Sequence, residues 1–180
     1  MSGSATRQDA ITLEAVRVLD LCRAAGLTVS TAESCTGGLV SGALTEIAGS
    51  SDVVDRAFVT YSNTAKRQVL GVSAATLDVH GAVSEETARE MVAGLLKASG
   101  TSLGVAVTGI AGPGGGSAEK PVGLVHFAAA RAGGRTLVRR EVFAGEDRAG
   151  VRQLSVLTAL AMLAELAGDQ ARGSAAPSTP

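Results

Sequence analysis

The chain has 180 residues, 46% hydrophobic, with mean hydropathy +0.27 and a net charge of −1. That length suits one domain with a core large enough to need neither disulfides nor metal. The near-neutral charge and 2% aromatic content argue against a nucleic-acid partner, which would need a basic field or a stacking platform.

The N-terminus, MSGSATRQD, lacks the apolar core of a signal peptide, and no run of about 18 apolar residues offers a membrane span. The expectation is a cytoplasmic protein with no membrane contact. Cys22 and Cys35 are too few for a zinc ribbon or a disulfide framework.

Residues 1–8 and 168–180 are small and polar and are expected to be disordered tails around a single domain over 9–167. From Asp9 to Ala25, Ile11, Ala15, Val18, Leu19 and Cys22 recur at helical spacing, with Gly26 as the stop. LTVST (27–31) reads as a strand, and GGLVSGALTEIA (37–48) as a helix. RAFVTYS (56–62) reads as a strand, NTAKRQVLG (63–71) as a short helix, and 73–80 as another.

Ser84 is an N-cap with Glu85 and Glu86 in the first turn of the next helix. Ala88, Met91, Val92, Leu95 and Leu96 form its buried stripe. SLGVAVTGI (102–110) is a buried-type strand. VGLVHFAAAR (122–131) and TLVRREVFA (136–144) form a hairpin turning at Gly133-Gly134. Asp147 to Leu166 is a helix apolar on more than one face, either deeply buried or shared in a homodimer. The fold class expected is α/β: three α/β/α layers with a mixed, mostly parallel sheet carrying an antiparallel hairpin.

Three stretches have the composition of a site. TAESCTGG (31–38) leaves a strand and opens a helix, where free N–H groups can receive an anion. Ser34, Thr36, Gly37 and Gly38 can act there, or Ser34 can simply cap the helix. Cys35 is an alternative nucleophile. VTYSNTAK (59–66) brings Tyr61 and Lys66. They are either a packed ring and a solvated lysine, or a desolvated lysine that serves as a base toward Ser34.

TGIAGPGGGSAEKPVG (108–123) is a long glycine-rich loop beginning with Thr108 and Gly109 at a strand end and continuing through Gly112 and Gly114. It fits neither a Walker A loop nor a dinucleotide fingerprint, which opposes a dehydrogenase. Glu119 and Lys120 read equally well as solvated charges. Arg148 and Arg152 are one turn apart and can clamp an anion or lie on the surface. His80 and His126 are isolated, so no metal site is expected.

TAESCTGG, FVTYSNTAK, HGAVSEETA, TGIAGPGGGSAEKPVG and FAGEDRAGVRQ, in that order, resemble the C-terminal domain family of the competence/damage-inducible protein CinA, over roughly residues 10–165. No counterpart of the N-terminal molybdopterin-binding-like domain is present, so the resemblance implies the stand-alone form, a nicotinamide-nucleotide amidohydrolase. It would convert nicotinamide mononucleotide (NMN) to nicotinic acid mononucleotide and ammonia, in pyridine nucleotide recycling, without a cofactor.

The family's nucleophile matches Ser34, its tyrosine and lysine match Tyr61 and Lys66, its threonine before GIAGP matches Thr108, and its closing arginine matches Arg148. In a mechanism with Ser34 as nucleophile and Lys66 as base, Tyr61 is expected to orient the lysine or relay the proton to departing ammonia. The substrate's phosphate would be held by the glycine-rich loop and by Arg148 or another cation. The sequence departs from the family at GEDRAGVR, where many members have GDRxxVR, and at GPGGGS, where others have Asp after the proline. The alternative is a catalytically silent nucleotide- or phosphate-binding module.

Overall fold

The computed structural model describes residues 2–173. The elements run α1 (Ser2–Ala25), β1 (Val29–Glu33), α2 (Leu39–Thr45), a one-turn 3-10 helix (Ser50–Asp52), β2 (Val54–Val59), α3 (Asn63–Leu70), α4 (Ala74–His80), α5 (Glu85–Ser99), β3 (Leu103–Gly109), β4 (Leu124–Arg131), β5 (Thr136–Val142) and α6 (Arg148–Gly173). The sheet order is β2-β1-β3-β4-β5. β1 pairs in parallel with β2 and β3, and β4 runs antiparallel to both β3 and β5. Four strands thus share one direction and only β4 opposes them. This is the expected α/β fold with its hairpin.

Period-two alternation divides the core between the two sheet faces. Val105, Val107, Val125 and Phe127 pack with α1, α2 and α6, while Ala32, Ala106, Ala128 and Ala130 pack with α5. Alanines on the second face let α5 sit close. At Gly94 the approach is closer still, since any side chain there would run into the Leu70 carbonyl at the end of α3. That contact seats α3, the helix that carries Lys66.

Several boundaries differ from expectation for local reasons. β1 lies two residues later than 27–31, because it is paired on both sides through Glu33, opposite Val59 and Val107. The helix expected from Gly37 starts at Leu39, because Gly37 (φ 62°) and Gly38 (φ 103°) are left-handed and cannot continue an α-helix. β2 ends at Val59, so Tyr61 and Ser62 lie beyond it, and Ser62 instead caps α3 by accepting from the Ala65 N–H at 3.0 Å. Ser84 caps α5 as expected.

Helices α1 and α6 reach into 1–8 and 168–180, the two stretches expected to be tails. No proline interrupts residues 2–8, and Arg7 pairs with Glu146 at 2.6 Å. Met1 and 174–180 lie outside the described residues.

Most of the apolar side chains of α6 are covered within the chain, whereas Leu154 and Leu157 stay half-buried. Val151, Val156, Ala159, Leu160, Met162, Leu163 and Leu166 are buried against α1 and the sheet. Among the described residues this is also the one helix long and apolar enough to cross a membrane, over Arg148–Asp169, but more than half of that window is buried inside the fold. The same pattern belongs to a core helix.

Candidate active site

The carboxyl ends of β1, β2 and β3 lie side by side, and the chain leaves each into a loop. Ligands of open α/β sheets bind at such a place. The pocket there has a volume of about 290 Å³. Ser34 and Cys35 follow β1, Tyr61, Asn63 and Lys66 follow β2, Thr108 and Gly109 end β3, and the loop after β3 adds Ile110 to Gly115. Ala82 and Val83 close one wall, and Arg148 reaches in from the start of α6.

At the floor, Lys66 Nζ lies 2.9 Å from Ser34 Oγ and donates to the Thr60 carbonyl at 2.9 Å. Lys66 is 1% exposed and Ser34 9%. No salt bridge to Lys66 forms among the described residues. Burial without a carboxylate disfavours the ammonium form, so the Lys66 pKa falls below the ordinary lysine value, against a smaller opposing pull from Cys35. Lys66 is therefore not a solvated helix residue. It is a desolvated amine in hydrogen-bond contact with a serine hydroxyl.

Cys35 is the weaker candidate nucleophile. Burial pushes its thiol up to about 11, although the backbone N–H groups of Cys35 and Thr36 and the charge of Lys66 pull the other way. Nucleophilic attack needs the thiolate, which is scarce at neutral pH with such a value.

Ser34 does not cap α2. Glu33 does, although sequence reasoning gave it no firm role. Its buried carboxylate accepts from the N–H groups of Gly38 (2.9 Å), Val40 (3.1 Å) and Ser41 (2.9 Å), and from Thr31 Oγ1 (3.1 Å). The α2 N-terminus expected to receive a substrate anion is thus filled by the chain's own carboxylate. A legible signal existed: an acidic residue ends a strand just ahead of a helix whose N-cap is glycine.

Ser34, Tyr61, Lys66, Thr108, Gly109, Gly112, Gly114 and Arg148 come together around the pocket as the sequence suggested. Thr36, Gly37 and Gly38 do not line it. The Thr36 carbonyl accepts from Arg152 Nη2 at 2.9 Å, and Gly37 faces the same guanidinium. Arg148 and Arg152 consequently form no joint clamp, since one enters the pocket and the other braces the back of the serine turn. The Thr108 hydroxyl donates to the Ala82 carbonyl at 2.7 Å.

Lys120 is not merely solvated either. It donates to the carbonyls of His80 (2.6 Å) and Val83 (2.8 Å), tying the glycine-rich loop to the wall at 80–83. Tyr61 is neither a packed ring nor a partner of Lys66. It is 61% exposed, and its hydroxyl accepts from Arg148 Nη2 at 3.0 Å. No group of three or more His, Cys, Asp or Glu that could hold a metal ion occurs among the described residues.

A family model described as the CinA C-terminal domain matches residues 12–167. The chain belongs to the CinA C-terminal domain family. Among curated family relatives, the nicotinamide-nucleotide amidohydrolase PncC of Escherichia coli (strain K12) is 55% identical over 141 residues, covering 78% of this chain and 85% of the relative. The PncC of Enterobacter agglomerans is 56% identical over 130 residues, covering 72% of this chain and 79% of the relative. The crystal structure of the competence/damage inducible protein CihA from Agrobacterium tumefaciens superposes with a TM-score of 0.86 at 55% identity, covering 87% of this chain and 95% of that one. The family and fold expected from the five motifs are therefore established.

Proposed function

We propose that the chain is an amidohydrolase that removes the carboxamide nitrogen of NMN, yielding nicotinic acid mononucleotide and ammonia, with Ser34 as nucleophile and Lys66 as base. The single observation that carries the mechanism is the 2.9 Å contact between Lys66 Nζ and Ser34 Oγ at the buried floor. The substrate follows from PncC relatives that match most of the chain.

Neutral Lys66 takes the hydroxyl proton as Ser34 Oγ bonds to the carboxamide carbon. The carbonyl oxygen becomes an oxyanion. The N–H groups of Cys35 and Thr36, which Glu33 leaves unoccupied, are the nearest backbone donors in the turn, and a donor of this kind contributes about 3 kcal/mol. The protonated lysine then gives its proton to the amide nitrogen, the C–N bond breaks, and ammonia departs. Water, deprotonated by Lys66, attacks the ester on Ser34. The carboxylate product leaves and the proton returns to Oγ. The glycine-rich loop and Arg148 hold the phosphate at the rim.

A silent phosphate-binding module would not need a lysine buried on a serine. The activity implies a cytoplasmic setting in pyridine nucleotide recycling. Sedimentation tests the expected homodimer, and a monomer would overturn that expectation.

The test of function is ammonia release from NMN, nicotinamide and nicotinamide riboside. Turnover of NMN well above the other two is the expected result. Equal turnover of free nicotinamide, or NMN binding without ammonia, would overturn the assignment.

A further inference from the structure

The family pattern groups Tyr61 with the chemistry of Lys66, but the geometry separates them. The chain turns the Thr60 carbonyl inward to Lys66 and the next side chain outward. Lys66 is 1% exposed and Tyr61 is 61% exposed, so one belongs to the floor and the other to the rim. Lys66 Nζ is bonded to Ser34 Oγ and the Thr60 carbonyl, while the Tyr61 hydroxyl is bonded to Arg148.

Arg148 bridges two walls of the pocket. Nη1 donates to the Gly112 carbonyl at 2.8 Å and Nη2 to the Tyr61 hydroxyl at 3.0 Å. A guanidinium has five N–H donors, so donors remain for a ligand. A phenol that accepts from arginine keeps its own hydrogen to donate. An arginine held from both sides beside a hydroxyl donor suits a phosphate monoester, whose several oxygens each accept. Lys66 is the other cationic side chain lining the pocket, and it is engaged with Ser34 below.

We infer that Tyr61 and Arg148 form one clip for the phosphate of the nucleotide substrate, and that Tyr61 determines specificity and does not relay protons. This rests on the amidohydrolase function proposed above. Proton transfer to the departing ammonia then falls to Lys66 alone. The clip explains how a shallow pocket would prefer a nucleotide amide over the free base.

The experiment is steady-state ammonia release by Tyr61→Phe across pH, with Arg148→Met and the double variant alongside. The exposed position of the ring makes Tyr61→Phe harmless to the fold. The expected result is a KM for NMN raised about tenfold or more, the loss of one charge-assisted phosphate interaction. The kcat stays within about threefold of wild type, with its pH midpoint unmoved. Adding Tyr61→Phe to Arg148→Met should cost little more, because the two act as a unit.

Competitive inhibition by ribose 5-phosphate should weaken by a similar factor in Tyr61→Phe. A kcat loss near a hundredfold with KM unmoved, or a shifted pH midpoint, would restore the relay and overturn the clip. Unchanged KM and kcat would overturn it too. If the wild type releases no ammonia from NMN, the proposed function fails. The clip is then judged by calorimetric titration with ribose 5-phosphate, where equal binding to wild type and Tyr61→Phe would overturn it.

Discussion

Lys66 and Arg148 are the two cationic side chains lining the pocket, and the chain treats them in opposite ways. Lys66 is sealed from water, faces a hydroxyl and a carbonyl, and has its pKa lowered by burial. Arg148 sits at the exposed rim with a carbonyl and a phenol as neighbours. Desolvation makes an amine a better base near neutral pH, whereas a guanidinium keeps its charge. The floor is thus built to move a proton and the rim to hold an anion.

The sharpest way to break that division is Lys66→Met. Ammonia release should fall by about a thousandfold, within the range expected for losing a general base. In the wild type, kcat/KM should rise with pH as Lys66 loses its proton, with a midpoint below the ordinary lysine value near 10.4.

Stability should show the same residue from the other side. Where native Lys66 has lost its proton and the unfolded lysine still holds one, wild-type stability rises with pH. The stability of Lys66→Met relative to wild type should therefore be greatest at acid pH. It should shrink as pH climbs from the lowered native value to the unfolded one. Thermal melts across pH read this directly, and a pH-independent difference would contradict it.

At the rim, Arg148→Met should raise the KM for NMN by ten- to a hundredfold while leaving the kcat–pH midpoint in place, as steady-state kinetics would show. Glu33→Gln is expected to act between the two regions. It replaces a carboxylate that gathers three N–H groups with an amide that can accept at only one oxygen. Stability should drop by about 1–3 kcal/mol in urea melts, with kcat reduced about tenfold because the serine turn loosens. The smallest effect belongs to Cys35→Ala. The thiol is pushed up to about 11, so turnover should change less than about threefold and iodoacetamide should leave the wild type active at pH 8.

How far the sequence foretold this arrangement depended on the range of each interaction. Helix α5 was legible because its cap at Ser84 and its stripe from Ala88 to Leu96 are local. The start of α2 was misplaced because two left-handed glycines looked like the opening of a helix. Ser34, Lys66 and Thr108 could be gathered because each lies at or just beyond the carboxyl end of one of three mutually parallel strands. Their partners could not, since the Tyr61–Arg148 bond spans 87 residues and Arg152 reaches the Thr36 carbonyl across 116. Glu33 could be read only as general support for the turn, because which N–H groups it gathers depends on where the turn after it folds back.

The central claim is that Ser34 attacks and Lys66 activates it. Ammonia release from NMN by Ser34→Ala, measured beside Cys35→Ala with the fold of both checked by circular dichroism, tests it most directly. The account predicts at least a thousandfold loss for Ser34→Ala and near-normal turnover for Cys35→Ala. Near-normal turnover by Ser34→Ala would contradict it.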